Sequence, residues 1–181
     1  MGFLLFHTIL WSASLIVLAV CAGTDLKDRL IPNELVIVIA AIGLAQGLVL
    51  RPEQIWFSLL GAFIVFCGLG LIAHCKIIGG GDLKLMSAVA FLVPPDRVGQ
   101  LLIEIALAGG LLSCFYLAAH HALRRSLHAS QTTPVEDPPL ENSVVRMIKT
   151  ERARIAAGDS LPYALAVLGG VSIYVAKELL Q

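Results

Sequence analysis

Charged residues are scarce in this sequence. Asp, Glu, Lys and Arg make up 14% of its 181 residues, whereas a soluble domain carries about 25%. Hydrophobic residues make up 57% of the chain, and the mean hydropathy is +0.85. The net charge is zero, so no basic field indicates nucleic-acid binding. The shortage of charge therefore excludes an ordinary soluble domain and predicts an integral membrane protein.

Clustered metal-binding residues are also lacking. The four cysteines are scattered and form no CxxC pair or Cys/His cluster, which argues against a zinc site or a disulfide framework. We interpret them as buried thiols. His120, His121 and His128 have no acidic partner at ligand spacing. We therefore predict neither a metal site nor a cofactor.

The beginning of the chain lacks the features of a cleaved secretory signal. No Lys or Arg precedes the apolar run Gly2–Gly23, and this run is longer than the roughly 7–15 residues of a signal core. We predict a retained membrane helix.

Long apolar runs dominate the rest of the sequence. A helix that crosses a bilayer needs about 20 apolar residues, and five runs approach or exceed that length. A sixth, Leu83–Val93, ends at Pro94-Pro95 and reaches only about half-way across, which requires a cover of protein or a wet cavity. We predict an all-α integral membrane protein of about six transmembrane helices, the fourth of them short. The five longer runs are Gly2–Gly23, Leu35–Leu50, Ile55–Cys75, Val98–Ala119 and Leu161–Ala176.

The cationic residues predict an orientation. With the amino terminus outside, ten of them fall on the cytoplasmic side and three on the outer side, as the positive-inside rule requires. The cytoplasmic set is Lys27, Arg29, Lys76, Lys84, Arg124, Arg125, Arg146, Lys149, Arg152 and Arg154, and the outer set is Arg51, Arg97 and Lys177.

The long segment between the last two spans divides in two. Ser130–Ser143 is polar and rich in proline, which predicts a flexible linker. Val144–Ala157 has apolar residues near one face and basic residues around the other, which favours a helix lying on the anionic inner surface. A solvated helix without a membrane role remains the alternative. We predict one membrane-embedded domain over 1–181, with this cytoplasmic loop and interfacial helix at about 120–160.

Two acids lie at the predicted inner ends of spans. Asp25 follows the first apolar run, and Asp82 opens the short one. Acids at a membrane boundary are functional candidates, and two neighbouring carboxylates can divide the roles of base and acid. Structural alternatives stay open: Asp25 could pair with Lys27 or Arg29, and Asp82 could cap a helix.

Three glycines, Gly79, Gly80 and Gly81, precede Asp82. Without side chains they allow a substrate backbone to approach, and they permit positive φ, so that the loop could aim the carboxyl group. A side chain at Gly81 is expected to crowd the reacting peptide.

The motifs "DLKDRLIPN" (Asp25–Asn33) and "GGGDLKL" (Gly79–Leu85), in this order within a six-span chain, resemble the prepilin peptidase family of GxGD aspartyl proteases. "LPYALA" (Leu161–Ala166) is similar to the family's closing segment. The resemblance covers essentially the whole chain. It implies that Asp25 and Asp82 are the catalytic pair and that Gly79 and Gly81 are the glycines of GxGD.

The resemblance also implies a function. It is that of an aspartic endopeptidase cleaving the short basic leader of prepilin or pseudopilin substrates at the cytoplasmic face of the bacterial inner membrane. Bifunctional members carry a long cytoplasmic insertion near the amino terminus, associated with N-methylation, and Asp25 follows the first span without room for one. The chain therefore resembles the peptidase-only type of tight-adherence (Flp-like) pili. The alternative is a non-catalytic membrane subunit or small transporter whose acids bind a cation.

Two further acids have less functional weight. Asp28 is three residues past Asp25 and could share its helical face, but its cationic neighbours indicate a solvated loop. Glu104 lies inside a span, where snorkelling or a hydrogen bond between helices is the favoured interpretation.

Overall fold

The computed structural model describes residues 2–75, 79–129 and 161–180, with side chains over 5–75, 79–122 and 161–180. In these ranges the chain forms six α-helices and no strand. Two 3₁₀ turns, Pro52–Gln54 and Pro95–Arg97, precede the third and fifth helices. The helices are α1 Gly2–Asp28, α2 Asn33–Leu50, α3 Ile55–His74, α4 Gly80–Ala90, α5 Val98–Ala129 and α6 Tyr163–Leu180.

Five of these helices are long and apolar enough to cross a membrane. Helix α4 has 11 residues and is about 16 Å long, which is too short to cross. Large apolar side chains on the long helices are exposed, for example Ile16, Phe63 and Leu111, as expected where lipid is the solvent. The prediction of an all-α membrane protein with a short fourth helix is confirmed, and the chain is a multi-pass membrane protein.

Helix α1 continues beyond the predicted end of the first span. The apolar run predicts a span that ends at Gly23, whereas the helix runs to Asp28. A last turn at the water boundary tolerates charged residues, so the fall in hydropathy does not end the helix. The end comes at Arg29, whose φ of 54° is left-handed. Asp25 therefore lies inside α1 rather than in the loop after it.

Helix α4 lies against three other helices, α2, α3 and α6. Its buried face includes Leu85 and Val89, both fully inaccessible. It ends at Ala90, four residues before Pro94, which has no backbone N–H to donate to the carbonyl oxygen of Ala90. Burial of α4 among longer helices provides the protein cover that a half-length helix requires.

Close packing of α6 against the first part of α5 depends on a glycine. A Cβ atom at Gly170 would lie 2.5 Å from Cα of Ile105, so no side chain fits. Near the other end of this contact Lys177 forms an ion pair of 2.9 Å with Glu104, which is 3% exposed. The expected hydrogen bond between helices at Glu104 is confirmed, with Lys177 as the partner.

The chain divides into two compact units, one of residues 1–109 and 162–181 and one of residues 110–161. All site residues discussed below belong to the first. In the second, α5 continues to Ala129, ten residues beyond the predicted end of its span. The predicted linker Ser130–Ser143 and surface helix Val144–Ala157 lie outside the described residues and stay predictions, as does the single domain over 1–181.

Candidate active site

Asp25 is a buried carboxylate of α1 that lies against the start of α6. It lies in the last turns of α1 with 5% of its surface exposed. Its Oδ2 accepts a hydrogen bond of 2.9 Å from the backbone N–H of Ala164, in the first turn of α6. First-turn N–H groups have no partner inside their own helix, and Pro162, just before α6, has no side-chain acceptor. Asp25 thus takes the place of a capping residue and lies at the positive end of the α6 dipole.

Asp82 lies in the first turn of α4, and part of its surface is accessible. The helix begins after Gly79, whose backbone donates a hydrogen bond to the Asp82 carboxyl group. This arrangement resembles the returning half of a capping box. Helix capping by Asp82, one of the alternatives from the sequence, is therefore present, although Asp82 is the third helical residue rather than the cap.

The two carboxyl groups interact electrostatically. Burial, together with the negative charge of Asp25, raises the pKa of Asp82 to about 6, and the hydrogen bond from Gly79 opposes this rise only partly. An aspartate with such a pKa retains a proton in part of the molecules near neutral pH. The fold therefore brings Asp25 and Asp82 into one site, 57 residues apart in the sequence.

The two sequence motifs pack against each other beside the carboxyl groups. Gly81 lies against Ile31, whose Cβ would be 3.6 Å from a Cβ atom added at Gly81. The ammonium group of Lys84 donates a hydrogen bond of 3.1 Å to Oδ1 of Asn33. These contacts connect the start of α4 to the start of α2 and hold Asp82 in place relative to the segment that follows Asp25.

Residues of the segment Leu161–Ala166 also lie at this site. The Tyr163 hydroxyl, in the first turn of α6, donates to Sδ of Met86 at 2.8 Å and interacts electrostatically with Asp82. The next residue, Ala164, supplies the N–H for Asp25. The sequence analysis assigned no role to either residue. A backbone donor has no side-chain signature, and only Pro162, a typical start of a helix, indicated where such donors would be.

The conformation of the glycines differs from expectation. Gly79 is extended, with φ −71° and ψ 148°, and Gly80 and Gly81 are helical, so positive φ does not aim Asp82. The glycine with the least room for a side chain is Gly79, where a Cβ would lie 3.1 Å from Oδ2 of Asp82. A Cβ at Gly81 would make only ordinary van der Waals contacts, and a Cβ at Gly80 would meet nothing within 4 Å. The expected positive φ is therefore wrong, because helix α4 starts two residues before Asp82, and the expected crowding of the reacting peptide at Gly81 stays a prediction.

The side chains that commonly bind metal ions are not clustered at this site. Within the described part of the chain no group of three or more His, Cys, Asp or Glu side chains could hold a metal ion. Asp28, at the end of α1, is exposed.

Most of the chain is similar to one known protein family. Residues 12–118 match the type IV leader peptidase family. The chain belongs to this family. The matched segment includes Asp25 and the glycines before Asp82, so both carboxyl groups of the site fall within the region that this member of the family shares with its relatives.

One curated relative is similar over part of its length. It is a "Prepilin leader peptidase/N-methyltransferase" of Bacillus subtilis (strain 168), 32% identical over 110 residues, which are 59% of this chain and 43% of the relative. The chain thus matches less than half of that protein. No solved structure matches this member of the leader peptidase family.

Proposed function

We propose that the protein is an aspartic endopeptidase that removes the leader peptide of prepilin-like substrates, with Asp25 and Asp82 as its catalytic residues. Membership of the type IV leader peptidase family supports the reaction class. The observation that favours these two residues is the electrostatic interaction of their carboxyl groups at one site. The different environments of the two groups suggest a different role for each.

Asp25 is the better candidate for the base. The N–H of Ala164 donates to its carboxylate at 2.9 Å, and hydrogen bonds to the charged form favour ionisation. The N-terminus of α6 adds a positive partial charge at the same place. We therefore assign to Asp25 the role of accepting a proton from a water molecule.

Asp82 is the better candidate for the acid. Its pKa is raised to about 6 by burial and by the charge of Asp25. A carboxyl group that keeps its proton beside an ionised one can donate a hydrogen bond to a carbonyl oxygen. Asp82 also has the greater exposure of the two, as contact with an incoming substrate requires.

The proposed reaction has two proton transfers in its first step. Asp25 takes a proton from water, the water oxygen bonds to the scissile carbonyl carbon, and Asp82 gives its proton to the carbonyl oxygen. In the second step the C–N bond breaks, the leaving nitrogen receives the proton held by Asp25, and a hydroxyl proton of the intermediate returns to Asp82. The enzyme ends in its initial protonation state.

The proposed substrate is a chain with a short basic leader before an apolar helix, cut at the cytoplasmic face of the inner membrane. Support comes from the family and from the position of the site: Asp25 is in the last turns of a helix long enough to cross a membrane. With the amino terminus outside, as the cation distribution predicts, this end of α1 faces the cytoplasm. Reporter fusions before Phe6 and after Lys27 test the orientation, and activity of the cytoplasmic reporter at the first position only would contradict it.

The experiment that tests the catalytic pair uses three matched carboxylates. Asp25→Asn and Asp82→Asn are expected to abolish leader cleavage, because an amide cannot exchange the required proton, while Asp28→Asn retains activity as the exposed control. Co-expressed candidate prepilins are analysed by sequencing of their amino termini, at equal membrane levels of each variant. Near wild-type processing by either of the first two variants would refute the two-aspartate mechanism. If no prepilin is cut by the wild type, the alternative of a cation-binding membrane subunit gains support.

Two finer proposals follow the sequence analysis. We propose that the product amino terminus is left unmethylated and that the substrates are Flp-like pilins. The mass of the processed pilin tests the first, since each methyl group adds about 14 Da. Parallel expression with Flp-like and other type IV prepilins tests the second, and selective cleavage of the latter would contradict it.

A further inference from the structure

A cavity lies at the end of the helices opposite to Asp25 and Asp82. Its volume is about 180 Å³, and its wall includes Trp11 and Gln46. Trp11 is fourteen residues before Asp25 on α1, which places it about 21 Å away along that helix. The cavity is therefore separate from the candidate active site.

Two hydrogen-bonding groups of the wall are left without a partner. Within the described part of the chain, Nε2 of Gln46 and Nη1 of Arg51 are buried and make no hydrogen bond. Gln46 is 1% exposed, so its amide cannot turn to bulk water. The Tyr174 hydroxyl, also in the wall, interacts with Glu178. A buried donor without an acceptor costs about 1–3 kcal/mol. Both unpartnered groups can donate, and a ligand with several acceptor oxygens would satisfy them together.

The arginine at this cavity is held rigidly. Nη2 of Arg51 donates to the carbonyl oxygen of Leu92 at 2.9 Å, which fixes the guanidinium plane and leaves Nη1 for another acceptor. Burial lowers the pKa of Arg51, while the neighbouring carboxylates of Glu178 and Asp96 raise it. A guanidinium that is poorly solvated in this way is stabilised by a direct oxyanion contact.

An acid completes the wall. Glu178 lines the cavity and pairs with Arg97 at 3.2 Å. The wall therefore presents a group of donors, led by Arg51, beside a carboxylate. A simple anion would be repelled by Glu178, whereas a zwitterion with a phosphate and an amine would match both parts of the wall.

The cavity also lies at the depth of lipid headgroups. It is formed at the C-terminal end of α2, where Leu50 is the last helical residue before the turn Pro52–Gln54. Trp56, just after this turn, is 77% exposed, and exposed tryptophan is typical of the boundary between bilayer and water.

We propose that this cavity binds the zwitterionic headgroup of a membrane phospholipid such as phosphatidylethanolamine. The phosphate accepts hydrogen bonds from Gln46 and Arg51, and the amine faces Glu178. The bound lipid is a structural ligand that holds α1, α2 and α6 together at this end, independently of the proposed peptidase chemistry.

Thermal unfolding of the full chain tests the proposal. Protein purified in detergent and stripped of lipid is titrated with phosphatidylethanolamine, phosphatidylglycerol or inorganic phosphate, and retained phosphorus is measured after gel filtration. We expect phosphatidylethanolamine to raise the unfolding midpoint by several degrees, because a ligand that binds only the folded state stabilises it. The other two are expected to have little effect.

A pair of glutamine variants identifies the site. Gln46→Leu should weaken the lipid effect about tenfold or more, since it removes a hydrogen bond to a charged group. Without lipid, the unfolding midpoint of Gln46→Leu should equal or exceed that of the wild type, because the buried amide without a partner is gone. If Gln46 had only a structural role, this variant would have a lower unfolding midpoint than the wild type. Gln54→Leu, at the same end and exposed, should behave as the wild type. Arg51→Lys, which keeps the charge but loses the second donor of the guanidinium, provides a second variant with the same expected loss.

Each contrary result overturns a stated part of the proposal. No stabilisation by phosphatidylethanolamine, or wild-type lipid affinity in both Gln46→Leu and Arg51→Lys, rejects the site. Equal stabilisation by inorganic phosphate rejects a lipid as the source of the phosphate. Equal stabilisation by phosphatidylglycerol, which has no amine, rejects the role of Glu178.

Discussion

A graded substitution at Gly79 would show whether the Asp82 carboxyl group needs its exact surroundings. A Cβ at Gly79 would lie 3.1 Å from Oδ2 of Asp82, so the carboxyl group would have to move by a few tenths of an ångström. The backbone there, with φ −71° and ψ 148°, is open to any residue, so substitution adds no backbone strain. Any loss of activity then comes from the displaced carboxyl group.

The size of the loss follows from the displacement. A 1 Å error at a reacting group lowers a rate about a hundredfold. If the logarithm of the rate falls in proportion, a shift of about 0.3 Å in Gly79→Ala gives about a fourfold loss. Gly79→Val adds two methyl groups beside the carboxyl group and requires a shift of about 1 Å, with about a hundredfold loss.

Gly80 provides the matched control. It is the next residue, it is equally exposed, and a Cβ there meets nothing within 4 Å. Gly80→Ala should keep its activity, and should stabilise α4 by roughly 0.5–1 kcal/mol because alanine favours helix more than glycine. The measurement is the initial rate of prepilin cleavage in proteoliposomes at equal enzyme content. Equal losses in Gly79→Ala and Gly80→Ala, or full activity in Gly79→Val, would refute the reasoning.

Four shorter tests concern the ionisation of Asp82 (two tests), the packing at Gly170 and the rival acid Asp28. If Asp82 must hold a proton, the cleavage rate should fall as pH rises through about 6; a rate that increases across this range would contradict the role of acid. The pKa of Asp82 is about 6 in the folded protein, above the 3.8 of an ordinary aspartate. The free energy of unfolding should therefore also fall as pH rises from about 4 to about 6, and Asp82→Asn should remove this part of the pH dependence measured by thermal unfolding. Gly170→Ala, against Gly169→Ala as control, should destabilise the protein by about 1–3 kcal/mol, since its Cβ would overlap Ile105 whereas that of Gly169 makes an ordinary contact. Asp28→Asn should leave the pH profile of cleavage unchanged, and a shifted profile would place Asp28 at the site.

The sequence predicted the helices well because their signal is strong and local. Apolar runs of membrane length and the prolines between them indicate helix number without any tertiary information, as for α4, which stops before Pro94. The end of α1 was missed for the same reason: hydropathy falls at Gly23, but hydrogen bonding continues to Asp28. A local pattern has no information on which backbone conformation finally ends a helix.

Only the acidic side chains of the candidate site could be predicted from the sequence. Asp25 and Asp82 were recognised as charged groups at membrane boundaries. The partner of Asp25 is a main-chain N–H of α6, 139 residues away, and no residue type reports such a donor. The contact of Gly79 with Asp82 likewise depends on where α4 begins. The cavity at the opposite end of the helices could not be predicted either, since Gln46, Arg51 and Tyr174 come together only after α1, α2 and α6 have packed.

The different roles proposed for the two aspartates have one physical origin in the way helices begin. Both carboxyl groups lie at the start of a helix, where free N–H groups favour negative charge. Asp25 meets such a donor from another helix and is shielded from water, so its interaction is with α6 and is not weakened by solvent. Asp82 faces both its own helix and the charge of Asp25, and burial with that charge outweighs the contribution of Gly79. The better donor at Asp25 favours the proposed role of base for Asp25 and leaves the proposed role of acid to Asp82. An exchange of these roles would require the α6 N-terminus to move away from Asp25.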